Sequence, residues 1–97
     1  MENVLKAIDN FNSERDWKKF HSPENLAKSI SIEAAELLEI FQWNSKDIDE
    51  EHLKEELADV LIYCLDMALS LNIDPEKIIL DKLNKNSIKY PLDESQL

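Results

Sequence analysis

The chain has 97 residues, no glycine, three prolines and a formal net charge of −10. That length supports one small hydrophobic core, so a single domain over residues 1–97 is expected, and one that gains from oligomerisation. The lack of glycine removes phosphate loops and tight hairpins, and the charge opposes nucleic-acid polymers; a polyphosphate ligand has to arrive with a cation.

The first residues, Met1, Glu2 and Asn3, begin no basic and apolar leader, and no apolar stretch reaches membrane-spanning length. No membrane partner is expected and the expected location is cytoplasmic. Val4, Leu5, Ile8 and Phe11 recur at helical spacing and predict a first helix ending near Ser13. Ser22, Pro23 and Glu24 read as a cap, a first-position proline and a first-turn acid. The second helix starts there and is expected to run to Trp43, with Leu26, Ile30, Ala34, Leu37 and Phe41 on its apolar face.

Asn44 to Asp49 breaks the pattern, and a third helix begins near Asp49 or Glu50 and reaches Leu71. Leu53, Leu57, Val60, Leu61, Cys64 and Leu65 lie on its main face, and Ala58, Ile62 and Leu69 widen it, so this helix is expected to pack on more than one side. Cys64, the one cysteine, is expected to be a buried thiol in a reducing compartment. Asp74, Pro75 and Glu76 repeat the start signal for a fourth helix that ends near Tyr90, before Pro91 and a loose tail. The fold class is all-α: a small four-helix bundle, assembled as an oligomer.

Glu33 and Glu36 stand three apart on the second helix, and Glu56 and Asp59 three apart on the third. Residues at this spacing share a helix face, so two such pairs on packed helices offer four hard oxygen ligands suited to Mg²⁺ or Mn²⁺. A solvated face gives the same pattern on the third helix, where Glu56, Asp59, Tyr63 and Asp66 oppose the main apolar side. Glu33 is more telling, because it borders the apolar stripe, where a carboxylate needs a partner. A di-iron centre needs Glu-x-x-His pairs, and neither His21 nor His52 supplies one.

Arg15-Asp16-Trp17 with His21, the Glu33 and Glu36 pair running on to Phe41-Gln42-Trp43, and Glu56-Leu57-Ala58-Asp59 running on to Tyr63 together resemble the MazG-type all-α nucleotide pyrophosphohydrolases. The likeness covers Arg15 to Pro91 and is closest to the dCTP pyrophosphatase branch. It implies hydrolysis of a (deoxy)nucleoside triphosphate to the monophosphate and pyrophosphate, with Glu33, Glu36, Glu56 and Asp59 as catalytic metal ligands for Mg²⁺. It also implies base and sugar contacts from Trp17, His21 and Trp43, and phosphate contacts from Lys82, Asn86 and Tyr90. Separately, the small core and the wide apolar arc of the third helix lead to the expectation of a homodimer or homotetramer.

Each of these residues has a plainer reading. The tryptophans can pack at helix ends, His21 can cap the second helix, and Lys82, Asn86 and Lys89 form a stripe that can simply be solvated. Asp66 departs from the family pattern, as does the short connection between helices two and three. For substrate, dCTP or a modified dCTP is favoured over dATP, dUTP or an oxidised nucleotide. The reading from another class is a helical nucleotide-sensing or oligomerisation module that does not hydrolyse its ligand.

Overall fold

The computed structural model describes residues 1–43 and 46–93. Among these residues four α-helices follow one another: α1 (Glu2–Glu14), α2 (Pro23–Glu39), α3 (Glu50–Ser70) and α4 (Pro75–Lys89), with a 3₁₀ turn at Lys18–Phe20 between the first two. No strand occurs among the described residues. Each later start is capped by a side chain, as expected at Ser22 and Asp74. The Ser22 side chain accepts from the Asn25 N–H, Asp49 from those of Glu51 and His52, and Asp74 from those of Glu76 and Lys77.

Without glycine, two helix ends use other residues in the left-handed region: Asp16 at φ 54° and Asn72 at φ 55°. Asp16 ends α1, with the Trp17 N–H donating to the Asn12 carbonyl at 3.0 Å and the Asp16 N–H to that of Ser13 at 3.2 Å. Asn72 ends α3 in the same way, with Ile73 donating to Ala68 and Asn72 to Leu69. Both are Schellman turns, and the first sends Trp17 back along α1.

Helix α2 ends at Glu39, short of the expected Trp43. Ile40, Phe41 and Trp43 are weak helix formers, and the last of them has no core to pack on: Trp43 is 89% exposed. Of the break expected at Asn44 to Asp49, Asn44 and Ser45 lie outside the described residues, as do residues 94–97 of the expected tail.

Helices α2 and α3 form the main packed pair and α1 lies against α3. Leu26, Ile8 and Ala68 are the buried apolar residues of this core. The second side of α3 is not covered within one chain: Leu57, Leu61 and Ile62 are exposed, as are Leu38 on α2 and Ile79, Leu80, Leu83 and Ile88 on α4. Cys64 is exposed too, contrary to the expectation of a buried thiol, because it faces an apolar trough of about 640 Å³ beside α4 and no core. The accessible surface is 7945 Å², whereas a compact monomer of this mass exposes about 5,700 Å². The radius of gyration, 16.8 Å, likewise exceeds the ~12.5 Å of a compact domain. No helix among the described residues is long and apolar enough to cross a membrane.

Candidate metal centre and adjoining cavity

Packing of α2 on α3 brings Glu33 to Glu56 and Asp59, with one carboxylate oxygen from each lying within 4.8 Å of the others. Glu36 is exposed one turn further along α2. It stays at the rim of the cluster, close enough to Glu33 to share a hydrogen bond with it. The Glu33 carboxyl is pushed up to about 7, first by burial, then by that hydrogen bond and the charges of Glu36, Asp59 and Glu56. Glu33 Oε2 and Glu56 Oε2 are buried and have no hydrogen-bond partner among the described residues. Glu56 Oε1 lies 3.3 Å from His52 Nε2, one turn earlier on α3.

Buried carboxylate oxygens without donors are costly, and three carboxylates in this space repel one another. A hard divalent cation answers both problems, since it takes oxygen ligands and offsets the charge. The side chains therefore fit such an ion, with Glu33, Glu56 and Asp59 as the inner set and Glu36 within reach.

A cavity of about 360 Å³ opens beside Asp59, between α1 and α3. Phe11, Trp17, Ile62 and Tyr63 form much of its wall. Trp17 meets Phe11 edge-on with ring centroids 5.5 Å apart, and the Arg15 guanidinium covers the Phe11 ring at 3.5 Å while donating to the Phe11 carbonyl at 3.0 Å. Arg15, the sole arginine of the chain, thus braces the aromatic wall. Burial raises the Tyr63 phenol above its ordinary value, helped by the charges of Glu33, Asp66, Asp59 and Glu36.

The end of the cavity away from the acidic cluster holds Asn12 and Asp66, 5% and 4% exposed. Asn12 Nδ2 donates to Asp66 Oδ1 at 2.7 Å. Burial raises the Asp66 carboxyl above its ordinary value, while the Asn12 hydrogen bond and the nearby His21 oppose the rise. The acidic face of α3 is therefore not uniformly solvated. Its lower part is covered by α1.

Of the other expected contacts, Trp17 and His21 line this cavity. His21 does not cap α2, a task done by Ser22; its backbone carbonyl accepts from Ser70 Oγ at 2.8 Å. Trp43 stands beyond α2 and is not among the lining residues. Lys82, Asn86 and Tyr90 belong to α4 or its C-terminal end, and α4 contributes nothing to this wall. Asn12, Phe11, Tyr63 and Asp66 were not singled out as site residues from the sequence. Asp59, Tyr63 and Asp66 do follow one another at steps of four and three along one face of α3, a signal that a covering helix turns into a cavity wall.

The MazG-like family model matches residues 28–97. The chain is 33% identical over 105 residues to rat dCTP pyrophosphatase 1, covering 99% of this chain and 62% of that protein. It is 34% identical over 100 residues to human dCTP pyrophosphatase 1, covering 94% of this chain and 59% of the other. The chain thus spans about three fifths of the length of these curated relatives. A crystal structure of a pyrophosphatase from Archaeoglobus fulgidus superposes with a TM-score of 0.84 at 46% identity, covering 95% of this chain and 93% of that one. With the family model matched over α3, α4 and most of α2, and with like sequence and fold over nearly the whole chain, the protein belongs to the MazG-like family.

Proposed function

We propose that the protein hydrolyses a (deoxy)nucleoside triphosphate to the monophosphate and pyrophosphate, with dCTP or a modified dCTP as the favoured substrate, in clearing the nucleotide pool. The observation that carries this reading is the pair of donorless buried oxygens, Glu33 Oε2 and Glu56 Oε2, clustered with Asp59 at the edge of an aromatic-walled cavity. Such an arrangement offers a cation site and a base site side by side. The relatives named dCTP pyrophosphatase and pyrophosphatase support the same chemistry.

Glu33, Glu56 and Asp59, with Glu36 at the rim, would hold Mg²⁺, or Mn²⁺ in its place. When bound, the ion neutralises the triphosphate, polarises the α-phosphate and lowers the pKa of an attacking water. The residues of the chain supply position. Trp17, steadied by Phe11 and Arg15, presents a flat face for a base, and His21 closes the cavity near the sugar. Lys82, Asn86 and Tyr90 would meet the phosphates and Trp43 the base. They do not line this cavity, so in this reading a second subunit brings them. The uncovered apolar faces of α3 and α4 provide the surface for a homodimer or homotetramer.

The test is a panel of deoxynucleoside and oxidised nucleoside triphosphates, assayed for pyrophosphate release with Mg²⁺ and Mn²⁺. Release that is greatest with dCTP or a 5-substituted dCTP is expected. Tight binding of nucleotide with no release from any substrate would instead mark a sensing module.

A further inference from the structure

Asn12 and Asp66 are joined by the shortest side-chain hydrogen bond between α1 and α3 among the described residues, and both are more than nine-tenths buried. A brace between helices needs no cavity beside it, yet this pair lines one. The Asp66 carboxylate can only accept, so the Asn12 amide is turned with Nδ2 toward it. One Nδ2 hydrogen is used. The other, like Asp66 Oδ2, has no hydrogen-bond partner among the described residues. The pair thus offers a donor and an acceptor side by side in a largely apolar space, where an unmatched partner is rejected most strongly.

Position agrees with this. Asp66 and Asp59 lie seven residues apart on α3, about 10 Å along the helix axis, a span like that from the far edge of a nucleobase to its 5′-phosphate. Trp17 lines the same cavity, and its backbone N–H is tied to the Asn12 carbonyl at 3.0 Å. The stacking face and the polar pair are therefore held in one register by the same turn.

Resting on the function proposed above, we infer that Asn12 and Asp66 read the edge of the nucleobase and select one with an exocyclic amino group beside an unprotonated ring nitrogen. Asp66 Oδ2 accepts from the amino group, and Asn12 Nδ2 donates to the ring nitrogen. Cytosine and adenine present that edge. Uracil, thymine and guanine present a carbonyl beside a ring N–H, which places acceptor against acceptor and donor against donor. A modification at the cytosine 5-position leaves the edge intact.

The experiment compares kcat/KM of the full chain with Mg²⁺ for dCTP, dUTP and the 2-pyrimidinone deoxynucleoside triphosphate, which is cytosine without its amino group. Wild-type protein is expected to favour dCTP by at least about 100-fold over both. Asp66→Asn is expected to shrink the ratio of dCTP to dUTP by about tenfold or more, through loss on dCTP. An unchanged ratio, or equal losses on all substrates, would overturn the inference and leave the pair as a brace. Should the variant fail to fold by circular dichroism, the pyrimidinone substrate decides the matter in wild-type protein. If no triphosphate is hydrolysed, the proposed function fails, and uncleavable α,β-imido analogues of dCTP and dUTP decide base reading by titration of tryptophan fluorescence. Preference for the cytosine analogue upholds the pair's role; equal binding or none ends it.

Discussion

His52 Nε2 and Glu56 Oε1 stand 3.3 Å apart across one turn of α3, so one oxygen of Glu56 has a partner and the other, Oε2, is buried with none among the described residues. The imidazole fixes the rotation of the carboxyl and aims its second oxygen into the cluster. Partners of this kind tune metal affinity by about 10 to 100-fold, and the exposure of His52 places it at the lower end. His52→Ala should therefore raise the Mg²⁺ concentration for half-maximal activity by roughly tenfold, with kcat at saturating Mg²⁺ nearly kept. A metal titration of activity checks this.

Glu56→Gln and Asp59→Asn should each lower pyrophosphate release by about 100-fold or more, with helical circular dichroism retained. Glu50→Gln, a change in the exposed first turn of α3, should do little. Ca²⁺ should support turnover poorly, because its coordination is looser than that of Mg²⁺. Equal activity in all three variants would remove the metal centre from the reaction.

The pH dependence of stability follows from Glu33, whose carboxyl sits at about 7 against an ordinary 4.5. The folded state binds this proton more tightly than the unfolded state does. The contribution of Glu33 is then fully present below the lower value and is lost as the pH rises through the upper one. In EDTA, Glu33→Gln should raise Tm relative to wild type at pH 8, and much less at pH 5. Thermal melts of both proteins at the two pH values supply the check, and an equal offset at each would contradict it.

Trp17 packs on Phe11 beside the cavity, whereas Trp43 projects into solvent. Binding of an uncleavable dCTP analogue should quench Trp17, measured in a Trp43→Phe protein. Trp17→Ala should raise KM more than it lowers kcat, since a stacking contact serves substrate and transition state alike.

The exposed Leu57, Leu61 and Leu83 predict an oligomer in solution. Leu61→Glu should dissociate it, read by sedimentation velocity, and lower activity if Trp43, Lys82 and Tyr90 serve a neighbour's site. Mixing Asp59→Asn with Trp43→Ala under subunit exchange should then restore about a quarter of wild-type activity, from the one intact site of each mixed dimer. A fully active monomer would exclude a shared site.

Much of this molecule is local and was legible in the chain. Ser22, Asp49 and Asp74 cap their helices through their own side chains, and periodic apolar residues mark the four helices. Glu33 betrayed itself by sitting beside an apolar stripe. Where local signals conflicted, tertiary contacts decided. Helix α2 stops at Glu39 although the apolar period runs on, and Trp43 at the end of that period projects into solvent. Cys64 lies on an apolar face that no other helix of the same chain covers, so its burial could not be read from its neighbours in sequence.

Asp66 shows the limit most clearly. In the sequence it continues an acidic line and looks solvated; in the fold α1 covers it and supplies Asn12 from 54 positions away. Helical periodicity states which residues share a face, because it depends only on backbone geometry. It does not state what lies opposite that face. The sequence by itself determined the helices, their caps and the two acidic pairs. The tertiary structure decided that three of those carboxylates converge, that Glu36 stays at the rim and that Asp66 ends in a cavity, because each depends on how separate helices pack.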